Sequence, residues 1–229
     1  IDIEGLYVAD KVNDTLLYSG AVHADIADWS LRDSYVTVER AEFSDAYCYI
    51  RKYEGDSTFN FQHIVDYFAS DEPEDTSKSS FQLNVSLVAL DNINFLYQDQ
   101  NAEKLEHGID FSDLHFKNLS AEFNEFGMIG DSISVNISHL QIKEKSGFVL
   151  SELSTKLLFC PELVSLEKLT LAFNNSLILA DYFQLQTPNG GSEFSNFVEE
   201  VRFNAHLHDS RISLEDVAYF VPSIWGMDD

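Results

Sequence analysis

Positive charge is what this chain has least of: 14 Lys and Arg stand against 39 Asp and Glu, a formal net charge of -25. That deficit excludes nucleic acid as a partner, because affinity there rests on cations meeting phosphates. It also disfavours flat docking on an anionic membrane surface. Long apolar runs are missing too. None approaches the roughly 20 residues that span a bilayer as a helix, and no signal peptide opens the chain. Cysteine is confined to Cys48 and Cys160, compatible with one bridge or two free thiols, and nothing in the sequence brings their backbones together. Cys48 alternates with Ala46 and Ile50 and reads as a small buried hydrophobe. Also absent are a glycine-rich phosphate loop, a nucleophile elbow, His-Glu-x-x-His and clustered Cys-x-x-Cys. Carboxylates are so plentiful that no pair singles itself out as acid and base. His206 and His208 share a strand face, but no third ligand accompanies them. The expectation is a non-enzymatic chain with no catalytic residue, metal or cofactor.

What the chain has is apolar alternation: 45% of residues are hydrophobic, with Phe 18 and Tyr 10. One device keeps returning. Two apolar residues alternate with polar ones, two positions are skipped, and two more follow. The copies are Ile1, Ile3, Leu6, Val8; Val36, Val38, Ala41, Phe43; and Ile109, Phe111, Leu114, Phe116. Two more are Val135, Ile137, Leu140, Ile142 and Val164, Leu166, Leu169, Leu171, with Phe148, Leu150, Leu153 a partial one. Alternation puts every second side chain on one face of a strand. The skip reverses that phase, so the strand must bulge or bend there to keep its apolar side chains together.

These patterns imply a mainly β chain: a long, bent, largely antiparallel sheet of repeated hairpins, forming a trough or a half-open sandwich. Strands are expected over much of residues 1–53, from Phe81 to about Leu185 and from Val201 to Leu207. Phe81, Leu83, Val85, Leu87, Ala89, Ile93, Phe95 and Tyr97 read as one dry face, and Asp91 as the mark of a bend. Two short helices interrupt the strands. Phe61, Ile64, Val65 and Phe68 give the first a helical spacing over about 60–69. Leu214, Val217, Ala218 and Val221 give the second over about 214–221, with Ser213 and Asp216 as a capping box. Strand spacing over 212–220 is the alternative there. The acidic stretch 70–80 reads as a mobile loop, Thr187-Pro188-Asn189-Gly190-Gly191 as a turn. Asp71-Glu72-Pro73-Glu74-Asp75 lacks the spaced pattern of a calcium loop. The whole of 1–229 reads as one β-rich unit, subdivided if anywhere near 70–80. Its opening in a strand pattern and its end at Trp225-Gly226-Met227-Asp228-Asp229 suggest a segment of a larger protein.

Several stretches resemble the N-terminal region of the TamB/AsmA-like envelope proteins. They are Ile3-Glu4-Gly5-Leu6-Tyr7-Val8-Ala9-Asp10, Asp14-Thr15-Leu16-Leu17-Tyr18-Ser19-Gly20, Asp56-Ser57-Thr58-Phe59-Asn60-Phe61-Gln62, Ser146-Gly147-Phe148-Val149-Leu150 and Asp209-Ser210-Arg211-Ile212-Ser213-Leu214-Glu215-Asp216-Val217-Ala218-Tyr219-Phe220. The resemblance implies a protein of the periplasm of a Gram-negative bacterium, anchored to the inner membrane by a segment outside this chain. It implies a β-sheet trough carrying phospholipid to the outer membrane, and an outer-membrane β-barrel partner contacted through regions outside this segment.

Lipid carriage also suits the alternation. Hydrophobic attraction is non-directional, so a uniform apolar trough holds an acyl chain without fixing its position. Leu87, Phe95, Phe111, Phe116, Ile137 and Leu171 are the expected lining. Three alternatives stay open. The apolar face packs against a second sheet, or the chain is an adhesin-like module that binds protein or glycan through aromatic loops, with Tyr47, Tyr49 and Tyr53 as their start, or it is a carbohydrate-active enzyme on a β scaffold.

Overall fold

A computed structural model of the chain describes residues 1–30, 32–68, 81–187 and 201–221, with only the backbone at Val65, Tyr67 and Phe68. Ten strands follow one another in sequence order within one sheet: β1 (Asp2–Ala9), β2 (Thr15–Ser30), β3 (Tyr35–Lys52), β4 (Gln82–Asp99), β5 (Asp113–Ile129), β6 (Ser132–Glu144), β7 (Val149–Cys160), β8 (Leu163–Phe173), β9 (Ser176–Gln186) and β10 (Arg202–Arg211). All neighbours are antiparallel except β3 and β4, which run parallel. A parallel pair needs a connection that returns to the same end of the sheet. Helix α1 (Gln62–Phe68) lies between the two strands in sequence. The fold is therefore the bent, largely antiparallel sheet that the alternation implied. The expected loop 70–80 and residues 188–191 of the expected turn lie outside the described residues.

The phase reversals are bulges and left-handed residues inside strands. In the first copy Gly5 has φ +68, and in the fifth Lys168 has φ 53. In the second, β2 and β3 slip register beside Glu39: Val38 pairs with Ile26 but Arg40 with Asp25. In the fourth, β5 and β6 slip at Ser138, where Ile137 pairs with Phe123 and His139 with Glu122. The third copy is different. Ile109 and Phe111 precede β5 in a turn, because the Asp110 carboxylate accepts the N–H groups of Leu105 and Ser112 and draws the chain out of the ladder.

Bends in neighbouring strands line up. The flanking pairs set Gly5 opposite Gly20, Gly20 opposite Asp45, and Asp45 beside Asn92. Asp45 and Asn92 have φ 52 and 54, a region that Asp, Asn and Gly enter most readily. The bend thus falls at Asn92, one residue after the expected Asp91. A Cβ on Gly20 would lie 3.2 Å from that of Asp45, a tight contact that glycine avoids where the strands approach. Fully buried Ser19 donates to the carbonyl oxygens of Ala21 or Ser44, which the bend takes off the ladder. Because the bends line up, the crease runs across the strands and the sheet folds about it.

The strand pairing gives the sheet two rims. One, at Ala9, Lys52, Asp99, Glu144 and Phe173, carries both helices. The other, at Ser30, Gln82, Ile129, Cys160 and Gln186, carries neither. At the capped rim, Phe59 packs on Tyr97 and Phe61 on the way into α1. Phe61 and Ile64 are half-buried, and the side chains of Val65 and Phe68 lie outside those described. Helix α2 (Leu214–Val217) is one turn long and continues as a turn to Phe220. It settles the choice over 212–220 against a strand. Its expected apolar face is not what docks it: Leu214 and Val221 are exposed, while Ala218 and Asp216 are buried. Nor does a capping box form, since the Ser213 hydroxyl makes no cap. Asp216 instead accepts from the Ser176 hydroxyl at 2.5 Å and the Asn175 N–H at 2.9 Å, tying the helix to the β8–β9 hairpin. Tyr219 and Phe220 then lie against Phe148.

The most deeply buried side chains are polar: Asn60, Asp216 and Ser19. Each is a hydrogen-bonded joint, as burial of a polar group requires. Asn60 donates to Asp10 and to the Tyr49 carbonyl and accepts from the Arg51 N–H. Asp10 also accepts from the Tyr53 hydroxyl at 2.5 Å and from the N–H groups of Val12 and Asp14. Burial pushes the Asp10 carboxyl up, but the bonds from Tyr53, Asp14, Val12 and Asn60 outweigh it and hold it below the ordinary value. Asp110 shows the same balance, with burial opposed by Ser112, Leu105 and Lys145.

Candidate functional site

Side chains paired across neighbouring strands share a face, so the pairing sorts the sheet into wet and dry rows. One dry row runs Trp29, Val36, Leu83, Met128, Ile133, Phe159, Val164, Leu185, Phe203 from β2 to β10 without a polar member. The next row in holds Ile26, Val38, Val85 and Phe126, then Leu157, Leu166, Phe183 and Ala205, with Val135 between the two groups. Towards the capped rim come Val22, Phe43, Leu90, Ala121 and Leu140. The other face is wet: Asp25, Arg40, Leu87, Asn124, Asn136, Lys156, Glu167, Tyr182 and His206 form one row.

Among the described residues no second sheet covers the dry face. Among the described residues more large apolar side chains are exposed than fully buried, and the only buried aromatics are Phe148 and Phe173, under the α2 turn. Along the open rim Trp29, Phe81, Ile129, Phe159 and Phe203 are all exposed. The sealed-sandwich alternative is therefore not what these residues form. From β2 to β10 the dry rows cross eight strand spacings, about 38 Å at ~4.8 Å each. That is more than twice the ~15 Å depth of one bilayer leaflet's hydrocarbon.

Of the six residues expected to line the trough, four lie on this face. Phe95 and Phe116 pair, with ring centroids 5.8 Å apart, in a row with Cys48. Ile137 is buried beside Phe123. Leu171 pairs with Leu153 and Ile178 and packs under the capped cluster. Leu87 stands in the wet row with Arg40 and Asn124, because the alternation reverses at Ser86, where the pairing with β3 and β5 is interrupted without a slip of register: Val85 pairs with Val38 and Val88 with Ala41 on the dry face. Ala89 pairs with Glu42 and Glu122 and turns over with it. Phe111 belongs to no strand and is 63% exposed in the turn before β5. Dry-row members outside the expected six include Val38, Phe126, Leu157 and Phe183. Val38 already belongs to a copy of the repeat.

Chemistry is sparse on this face. Cys48 and Cys160 are free thiols, and burial pushes Cys48 up, away from the reactive thiolate. Among the described residues no group of three His, Cys, Asp or Glu is placed to hold a metal ion. His206 and His208 lie on the wet face, His206 with its Nδ1 2.6 Å from Asp181. Tyr47 and Tyr49 sit on β3 rather than a loop, with ring centroids 6.1 Å apart, and the Arg51 guanidinium lies over Tyr49. Tyr53 is held by Asp10. No helix among the described residues is long and apolar enough to cross a membrane. In comparisons with known proteins, no family model and no curated protein matches the chain.

Proposed function

We propose that this chain is a non-enzymatic lipid-holding segment whose dry face takes the acyl chains of phospholipids. The observation that carries the reading is the unbroken apolar row from Trp29 to Phe203, exposed along a rim that neither helix caps. An acyl chain gains about 0.8 kcal/mol for each methylene it buries, on the order of 10 kcal/mol for a dozen. A specific pocket carries a few convergent polar groups that fix a ligand's orientation. The dry rows carry none over nine strands, which suits a surface along which chains slide. Head groups stay in water at the rims.

With the resemblance to the TamB/AsmA-like envelope proteins, the reading extends to traffic across the periplasm of a Gram-negative cell. The inner-membrane anchor and any contact with an outer-membrane β-barrel belong to regions outside this segment. The test is extraction of the purified chain with organic solvent and mass spectrometry of the extract. Phospholipid near one or more molecules per chain is expected. Lipid-free protein from a lipid-replete host overturns the reading.

One observation favours a second reading. Tyr7, Tyr18 and Tyr47 pair in a ladder on the wet face, with Tyr7 and Tyr47 exposed. Such a ladder is a stacking platform for glycan or protein. Retention on a glycan array that is lost in Tyr7→Ala with Tyr47→Ala would favour it.

A further inference from the structure

The two edges of the sheet are opposite in charge and alike in greasiness. Edge strand β10 has every residue exposed except Ala205. Its wet side carries Arg202, His206, His208 and Arg211, with Asp209 the one acid in the strand, in a chain where acids outnumber Lys and Arg 39 to 14. Edge strand β1 carries Asp2 and Glu4 on its wet side and no Lys or Arg. Their dry sides match as well: Phe203 and Leu207 are exposed on β10, and Ile3 on β1. Among the described residues nothing pairs with the outer side of either strand. Each therefore presents a row of backbone N–H and C=O groups free to extend the sheet.

We propose that β10 of one copy pairs with β1 of a second copy of this chain, head to tail. Both strands run towards the capped rim, β10 from the open rim and β1 from the middle of the sheet opposite His23, so a parallel junction keeps wet against wet and dry against dry. A parallel junction already exists in this sheet between β3 and β4. With the capped rims level it sets Asp2 and Glu4 beside His208 and Arg211, and it continues the dry face of one copy into the next. Opposite charges across a strand pair attract and like charges repel. Pairing β10 with β10 antiparallel sets Arg202 against Arg211, and pairing β1 with β1 joins two acidic strands with no cation between them. The charges thus select the heterologous contact. The net charge of -25 opposes association at long range, and salt near 0.15 M screens that repulsion beyond about 8 Å.

Sedimentation velocity of the 229-residue chain at that salt tests this. The wild type is expected to associate as concentration rises. Arg202→Glu with Arg211→Glu, and separately Asp2→Lys with Glu4→Lys, should each associate roughly tenfold more weakly. An equimolar mixture of the two variants, in which opposite charges meet again at both junctions, should regain association. Wild type that stays monomeric at every concentration overturns the proposal. So do variants that associate as well alone as the wild type, or a mixture no better than its components.

Discussion

Asn92 donates its Nδ2 to Asp45 Oδ1 at 2.5 Å, and both residues are left-handed inside neighbouring parallel strands. Two strands therefore bend at one level and are tied where they bend. An unfavourable backbone region costs a β-branched residue about 1–2 kcal/mol, and glycine almost nothing. Asn92→Val should lower stability in urea by about 1–2 kcal/mol more than Asn92→Gly. Equal losses would mean that the hydrogen bond, not the backbone, matters at the crease.

Acid should loosen the capped rim first. The Asp10 and Asp110 carboxyls are held below the ordinary value of 3.8. A carboxyl depressed in the fold stabilises it fully above its unfolded value, and that contribution is lost as pH falls through the folded value. The part of the stability that these two carboxylates supply should be level from pH 7 to 5 and fall below about 4. Asp10→Asn should be less stable at pH 6 and show a shallower acid decline. An unchanged slope in that variant would remove Asp10 from the explanation.

Asp216 is the peg of α2, so Asp216→Ala leaves the Ser176 hydroxyl and the Asn175 N–H without their buried acceptor. The expected cost is about 1–3 kcal/mol. Hydrogen exchange should rise over 213–221 and over the β8–β9 hairpin while β3 and β4 stay protected. A uniform rise along the chain would contradict local anchoring.

The reversal of alternation at Ser86 makes neighbours behave unlike each other. Val85→Gln and Phe126→Gln should reduce lipid recovered with the purified chain, whereas Leu87→Gln, in a row with Arg40 and Asn124, should leave it unchanged. Equal losses at Leu87 and Phe126 would break the assignment of faces.

Much of this architecture is written in the alternation. The skipped positions at Gly5, Glu39, Ser138 and Lys168 are where the strands bend, because each skip must be absorbed by an extra residue or a left-handed one. Leu87-Val88-Ala89-Leu90 was not legible in that way. The run is apolar at both parities, so period alone cannot say which side chains face the trough, and the pairing with β3 and β5 decides. Phe111 followed the repeat, but the Asp110 carboxylate turned that stretch out of the ladder. The buried joints were out of reach for another reason. Asp10 meets Asn60 and Asp216 meets Ser176 across 50 and 40 residues, and in so acidic a chain neither carboxylate stands out.

The dry rows are best tested in the cell. A photo-crosslinking amino acid at Phe126, Leu166 or Phe183 should capture phospholipid on illumination, and the same group at Asn124, Glu167 or Tyr182, on the opposite face of the same strands, should not. Lipid adducts at both sets of positions, or at neither, would contradict a trough that holds acyl chains on one side only.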